Sequence, residues 1–470
     1  MSQPPRDRFA ELEAQHVGEW KNLLVAEPEL LDGETAVEET TAHRASTRNW
    51  PEPPAAPAFH GLAGEIVHTI LPHTESSPVA LLIQTLICFG NVIGRTPYFV
   101  AEASQHFTNL FAILVGVTSV ARKGSSWAQI LRVFRVVDPE WADRQIQSGL
   151  SSGEGLIWAV RDPITKHEPI RENGHVVGYQ DVEIDAGISD KRALIFESEF
   201  ASPLKMMARD GNTLSVQIRQ AWDTGDLRTM TKNCPARATG AYISIVGHIT
   251  RNELCRELNS TDLGNGFANR ILWICTTRSK ELPEGGNLTD ADIVPLAKRL
   301  KDAVAFARNV GEIKRDAAIK NPWAKTYHEL TADTPGLLGA VTSRAVPQTM
   351  RLACLYALLD QSAVVRAEHL LAAVALWEYC HSSARFIFGD ALGDPTADTI
   401  LRGLRDTPDG LDRTSISSLF SRHASASEIS RALSVLQEHG LAEVSPTSQD
   451  GAGRPTEIWT AVGGTAKEAK

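Results

Sequence analysis

The chain has 470 residues, 43% of them hydrophobic, and a formal net charge of −10, so it is long enough for two or three domains with real cores. An acidic balance of this size excludes a bulk positive field for nucleic acid and leaves only local basic patches to bind it. No apolar run reaches the roughly 18–20 residues that span a bilayer, and the first residues lack a charged-then-apolar signal, so a cytoplasmic protein without a membrane partner is expected. The six cysteines, Cys88, Cys234, Cys255, Cys275, Cys354 and Cys380, include no C-x-x-C pair. That argues for reduced thiols and against a zinc site or a disulfide frame.

Residues 1–58, rich in Glu, Ala, Thr and Pro and ending in Trp50-Pro51-Glu52-Pro53-Pro54 and Pro57, read as a tail and stiff linker, with a short helix near Phe9 to Leu24 at most. From Phe59 to Phe99 the pattern predicts two helices, with Thr74 to Pro78 as turn and cap and Val79 to Ile93 as a buried helix. His60, His68 and His73 lie here without metal-ligand spacing among them.

Leu110 to Val115 has the length and β-branched content of a buried strand. The loop after Gly116 ends in Lys123, Gly124, Ser125 and Ser126, before a helical pattern that starts at Trp127. Phosphate cradles are built this way. Backbone N–H groups and a helix N-terminus surround the phosphates, a lysine reaches their oxygens, and a hydroxyl holds Mg²⁺. The spelling departs from G-x-x-x-x-G-K-[ST], because Lys123 lies one residue too far from Gly116 and Gly124 separates it from Ser125. An ordinary strand-to-helix turn is the competing reading.

Downstream, Gly149 to Pro163 opens with small residues and becomes helical, and residues 164–190 read as a solvated β-hairpin that projects. The next core strand, Ala193-Leu194-Ile195-Phe196, delivers Glu197 and Glu199 at its carboxyl end. One acid of such a pair orients Mg²⁺, and the second polarises an attacking water. A core strand followed by a solvated acidic turn is the bland alternative. An amphipathic helix over Val216 to Trp222, basic tips over Gly225 to Asn233, and a strand over Tyr242 to Gly247 ending in His248-Ile249-Thr250 follow. In an open α/β sheet the carboxyl ends of the strands line one crevice, so Lys123, Glu197, Glu199, His248 and Thr250 are expected to converge on one ligand. Asn269-Arg270 then leads into the strand Ile271 to Cys275.

This order of segments resembles the AAA+ module of minichromosome maintenance (MCM) helicases, and an uncharacterised bacterial family found with mobile-element replication genes. Ser151 to Leu156 through Arg161-Asp162-Pro163 is similar to the family's serine-rich segment, with residues 164–190 in the place of its helix-2 insert. By that resemblance, Glu197 and Glu199 take the places of the Walker B acids, and Gly116, Lys123, Gly124, Ser125 and Ser126 bind ATP, with Ser125 and Glu197 on Mg²⁺. Lys232, between Thr229 and Pro235, falls where a hairpin carries a DNA-touching lysine. His248 or Thr250 occupies the sensor-1 place, normally an asparagine, and Arg270 that of the arginine finger, acting in a neighbouring subunit. Residues 281–390 are similar to the helical lid, in which Arg344 stands at the sensor-2 position. A solvated helix arginine is the other reading of Arg344.

After Asp390 to Pro395 comes a separate unit, 391–465, with helices over Ala397 to Leu404, Arg413 to Phe420 and Ser427 to Leu436. Strands Leu441 to Val444 and Glu457 to Thr460 flank a turn at Gly451 to Pro455. It resembles winged-helix domains, in which Arg422, His423 and Arg431 would face DNA and Arg454 would enter a minor groove from the wing. Winged helices also serve protein contacts.

The expected fold class is thus α/β: an AAA+ core over 59–280, the lid, and the winged helix. Two function classes remain open. One is an ATP-driven DNA helicase or translocase, a homo-hexamer with single-stranded DNA in its channel and duplex at the winged helix. The other is a DNA-binding initiator or regulator that ATP only switches. Hydrolysis stimulated by single-stranded DNA separates them.

Overall fold

The architecture is that of a computed structural model, which describes residues 50–116, 122–173, 175–230, 236–258, 260–332, 334, 336–389, 394–421, 423–438, 440–447 and 456–462. They form two compact units, one from the described residues of 50–332 and 341–387, the other from those of 333–340 and 388–470. The expected core and most of the expected lid therefore share the first unit and one hydrophobic core.

In the first unit, α1 (Gly61–Ile70) leads to α2 (Pro78–Ile93), with every residue after Pro78 buried. A helix that is apolar all round belongs inside a core. Pro78 sits in its first turn, and Gly94, at φ 79°, ends it. β1 (Tyr98–Ala101) and β2 (Ser104–Phe107) make a hairpin that the sequence pattern did not signal. Then come β3 (Phe111–Gly116), α3 (Lys123–Val137), α4 (Pro139–Arg144), the short edge strand β4 (Ile146–Gln147) and α5 (Gly153–Ala159). The expected projecting hairpin is present as β5 (Ile164–Glu172) and β6 (His175–Asp185).

β7 (Arg192–Glu197), α6 (Ala201–Met207), α7 (Leu214–Asp223), a small antiparallel pair β8 (Leu227–Arg228) and β9 (Arg237–Ala238), and β10 (Tyr242–Thr250) follow. α8 (Arg251–Glu257), α9 (Ser260–Gly264) and β11 (Ile271–Thr276) complete the sheet region. The sheet is parallel throughout, in the order β11-β3-β10-β7-β4. Its three central strands are near-continuous apolar runs, as strands covered on both faces must be. α2 packs across β3, β7, β10 and β11. The amide of buried Asn91 on α2 bonds Ala193 O, Tyr242 O and Ser244 Oγ and accepts from the Trp141 indole, pinning helix to sheet.

α10 (Asp290–Ala307), β12 (Lys314–Arg315), α11 (Lys320–Leu330), α12 (Gly336–Thr342), α13 (Ala345–Leu359), β13 (Val364–Val365) and α14 (Ala367–Phe388) follow. α10, α13 and α14 supply much of the shared core.

The second unit holds α15 (Pro395–Asp406), β14 (Leu411–Asp412), α16 (Arg413–Ser418), α17 (Ala426–Glu438), β15 (Ala442–Thr447) and β16 (Thr456–Ala461). Its strands form an antiparallel sheet in the order β14-β16-β15. Ile400, Leu404, Ile416, Leu433, Leu436 and Trp459 meet in its own small core.

Candidate functional site

From β3 the chain crosses to the far edge at β4, returns strand by strand through β7 to β10 beside β3, and then passes over β3 to β11. The connections leaving β3 and β10 thus run in opposite directions. In open α/β sheets, ligands bind at such a switch point, outside the carboxyl ends of the strands. The register sets those ends side by side: Thr250 pairs with Gly116, Gly116 with Thr276, and Gly247 with Glu197. With neighbouring strands roughly 4.8 Å apart, the groups emerging from β3, β7 and β10 share one crevice.

The loop after Gly116 ends earlier than its composition suggests. Lys123, Gly124, Ser125 and Ser126 form the first turn of α3, and Arg122, in the left-handed region at φ 50°, is its N-cap. Among the described residues nothing lies within 4 Å of where a Cβ on Gly124 would stand, and Ser125 is exposed, so those residues leave this side of the first turn of the 15-residue helix uncovered. Ser126 departs from expectation: it is fully buried, and its hydroxyl donates to Lys123 O at 2.7 Å, which takes it out of the phosphate-binding set. The Lys123 ammonium donates to Ile249 O at 3.1 Å. Burial lowers its pKa, opposed by the Glu253 carboxylate. Glu253 went unassigned in the sequence, yet Thr250-x-x-Glu253 spells a capping box. Thr250 is the N-cap of α8, with its Oγ1 donating to Glu253 Oε2 at 2.7 Å, so it is a capping residue as well as a strand-end group.

The two acids differ in setting. Glu197 is 8% exposed and accepts from the Leu150 backbone N–H at 2.6 Å, which fixes it where β7 ends. Glu199 is exposed in the turn before α6. His248 is displaced from the role expected of it. Its ring is 2% exposed, its Nε2 takes a hydrogen bond from the Gln84 amide at 3.2 Å, and it stands edge-on to Phe196 at 5.1 Å. Burial and the nearby Lys123 cation push the imidazole down to about 3, so it is a neutral core group under the crevice. On the β11 side, Glu75 joins Arg122 Nε at 2.7 Å to Arg278 and accepts from Leu282 N–H at 2.8 Å, bracing the N-cap of α3.

Arg270 and Arg344 lie elsewhere. Arg270 directly precedes Ile271, which pairs with Phe111, so it stands at the amino end of the sheet, a full strand length from Lys123. It is 7% exposed and bonds Asp223 Oδ2 at 2.6 Å and Gly266 O. The resemblance places Arg270 at the arginine-finger position, and in the structure its side chain is turned inward onto Asp223. Arg344, the N-cap of α13, reaches the same carboxylate at 3.5 Å. Fully buried Arg351 lies over the Trp222 ring at 3.6 Å and donates to Asn109 O and Trp222 O.

Lys232, Arg422 and Arg454 lie outside the described residues. β8 and β9 close the base of the segment that carries Lys232. Arg431, exposed on α17, pairs with Asp394 at 3.3 Å. The projecting hairpin 164–185 carries two basic against five acidic side chains, which makes it a poor phosphate contact.

Among the described residues one cluster has metal-ligand chemistry: Asp360 Oδ2 meets His60 Nε2 at 2.7 Å and His369 Nε2 at 3.2 Å. Sequence spacing alone could not pair residues 300 positions apart. His369 Nδ1 accepts from the Arg366 backbone N–H, so the ring's proton sits on Nε2 and is donated to Asp360. Ligation through Nε2 would require removing that proton, and the cluster is a hydrogen-bonded tie between α1, α13 and α14. No protein-family model matches the chain, and no curated protein matches it.

Proposed function

We propose that this chain is an ATP-dependent DNA helicase or translocase of MCM-like AAA+ type, a homo-hexamer of the kind carried by plasmids, prophages or other mobile elements. The observation that carries the proposal is the division of groups between the two ends of one sheet. At the carboxyl end an open helix start, a lysine and two acids meet at a switch point. At the amino end two arginines sit too far away to serve the same chain's crevice. Such an arrangement suits a site completed by a second copy, and six copies in a closed ring give every crevice its arginines.

Bound MgATP would supply the phosphoryl group to be cleaved, with Gly116, Lys123, Gly124 and Ser125 around its phosphates and Ser125 and Glu197 on Mg²⁺. The open first turn of α3 and the fixed carboxylate of Glu197 fit that role. Glu199 takes the proton of the attacking water, being the exposed acid of the pair. Arg270 and Arg344 face charge developing in a neighbour's site. Lys232 and the second unit, read as a winged helix, contact DNA, with Arg431 released from Asp394 for that purpose.

The second reading, an ATP-switched initiator or regulator, is favoured by one feature. His248 is locked to Gln84 as a neutral group, so the sensor-1 position supplies no polar side chain to the crevice beyond the capping Thr250. ATP turnover measured with and without single-stranded DNA tests the proposal. Turnover that DNA stimulates supports it, and tight ATP binding without turnover supports the switch. In the same assay series, Lys232→Ala should lower the salt slope of single-strand binding by roughly 0.7 for each phosphate contact the ring loses. Coincident slopes for wild type and variant would remove Lys232 from the DNA contact.

A further inference from the structure

The amino-end cluster holds a group that the reaction above does not use. Asp223 is the last residue of α7, where a carboxylate meets the negative end of the helix dipole and loses stability for its helix. Its location is explained by what it holds. Arg270 donates to both its oxygens, from Nε at 3.3 Å and from Nη2 at 2.6 Å, while Arg344 reaches Oδ1 at 3.5 Å. The two arginines are also clipped together: Asn269 donates to Ser343 Oγ at 2.8 Å, and Gln348 donates to Asn269 O at 2.8 Å. They would therefore be released as a pair.

Charge at this spot is unbalanced. Arg270, Arg344 and Arg351 all lie near the Trp222 ring, at 5.8, 5.0 and 3.6 Å, and Asp223 is the carboxylate they share. His106 beside them is kept neutral by burial and by the Arg351 and Arg344 cations. The surplus is positive, and the Asp223 and Arg344 side chains remain about one third exposed, so an incoming anion can reach the pair from solvent.

We propose that Asp223 is an internal competitor for these arginines: it holds Arg270 and Arg344 turned inward until phosphate oxygens presented by a second copy of this chain displace it. The proposal rests on the reading in which the arginines act across a subunit boundary. Asp223 is then a positioning residue that sets how readily copies become active together, and it takes no part in phosphoryl transfer itself.

The test is Asp223→Asn in the full chain, an isosteric change that keeps one oxygen as acceptor for Arg270. ATP turnover per subunit is measured across a range of protein concentrations. Losing a partly exposed ion pair as competitor should lower the concentration for half-maximal turnover by about two- to fivefold. An unchanged or raised concentration overturns the proposal. Absence of turnover in wild type at every concentration would instead strike the ATPase reading, so a second arm avoids ATP. In a Lys123→Ala background, which disables the crevice, inorganic phosphate against chloride at equal ionic strength should raise the melting temperature of the Asp223→Asn protein by roughly 2 °C more than that of its Asp223 parent. Equal rises overturn the proposal. If Asp223→Asn does not melt cooperatively, Asp223→Ser is read in its place, with the same fall in half-maximal concentration expected. An unchanged or raised concentration there also overturns the proposal.

Discussion

The two ends of the central sheet carry opposite kinds of incompleteness. At the carboxyl end, Glu197 and Glu199 emerge from or just after β7, and Lys123, with Glu253 acting on it, stands in the first turn of α3. At the amino end, three arginines crowd one carboxylate. On the proposed reading, charge developing on a phosphoryl group in the carboxyl-end crevice would call for more cations than Lys123, and the arginines that could supply them sit a strand length away, turned inward. Folding of a single chain satisfies each end separately. Contact between the ends of two chains would satisfy the chemistry.

That contrast can be broken from either end. The largest effect is expected at Glu199: Glu199→Gln should keep ATP affinity and cut turnover by about 10²–10⁴-fold, since it removes only the proton acceptor. Full turnover in that variant would move the base elsewhere. Lys123→Ala should weaken ATP binding by roughly 100-fold in a fluorescent-nucleotide titration, because the half-buried ammonium, which donates to Ile249 O near the end of β10, is the cation proposed to hold the phosphates. Unchanged affinity would assign the phosphates to Arg122, whose guanidinium now braces Glu75.

Acid sharpens the comparison through one histidine at each end. His248 is held down to about 3 and His106 to about 4, both chiefly by burial. The unfolded chain takes up these protons as pH falls through about 6.5, whereas the folded chain resists until pH 3–4, so stability is lost as pH falls across that window. For buried His248 the loss approaches ~1.4 kcal/mol per pH unit, and for the more exposed His106 it is smaller. His248→Gln should remove about one proton from the pH dependence of urea unfolding between pH 6 and 4. An unchanged slope would mean that the ring is protonated in the folded state.

How far the sequence carried this picture depends on the range of the interaction. Apolar runs marked the four long parallel strands, because a strand buried on both faces has little freedom in composition. The acids after β7 and the lysine after β3 were legible for the same reason. The start of α3 was not, since Lys123-Gly124-Ser125-Ser126 contains poor helix formers and the apolar period begins only at Trp127. The cap is Arg122 in a left-handed conformation, which no composition rule anticipates. Two-residue strands such as β4 carry too little pattern to be seen. Pairings such as Asp223 with Arg270 and Arg344, or His60 with Asp360 and His369, join distant segments, and nothing local announces them.

The claim that one active site needs two copies is tested most directly by mixing two inactive variants, Glu199→Gln and Arg270→Ala, and measuring ATP turnover. In an equal random mixture about a quarter of the boundaries join an intact Glu199 to an intact Arg270, so turnover should return to roughly that fraction of wild type. A mixture as inactive as its components, when both variants bind ATP and associate as wild type does, would contradict the account and place the arginines in a purely structural role.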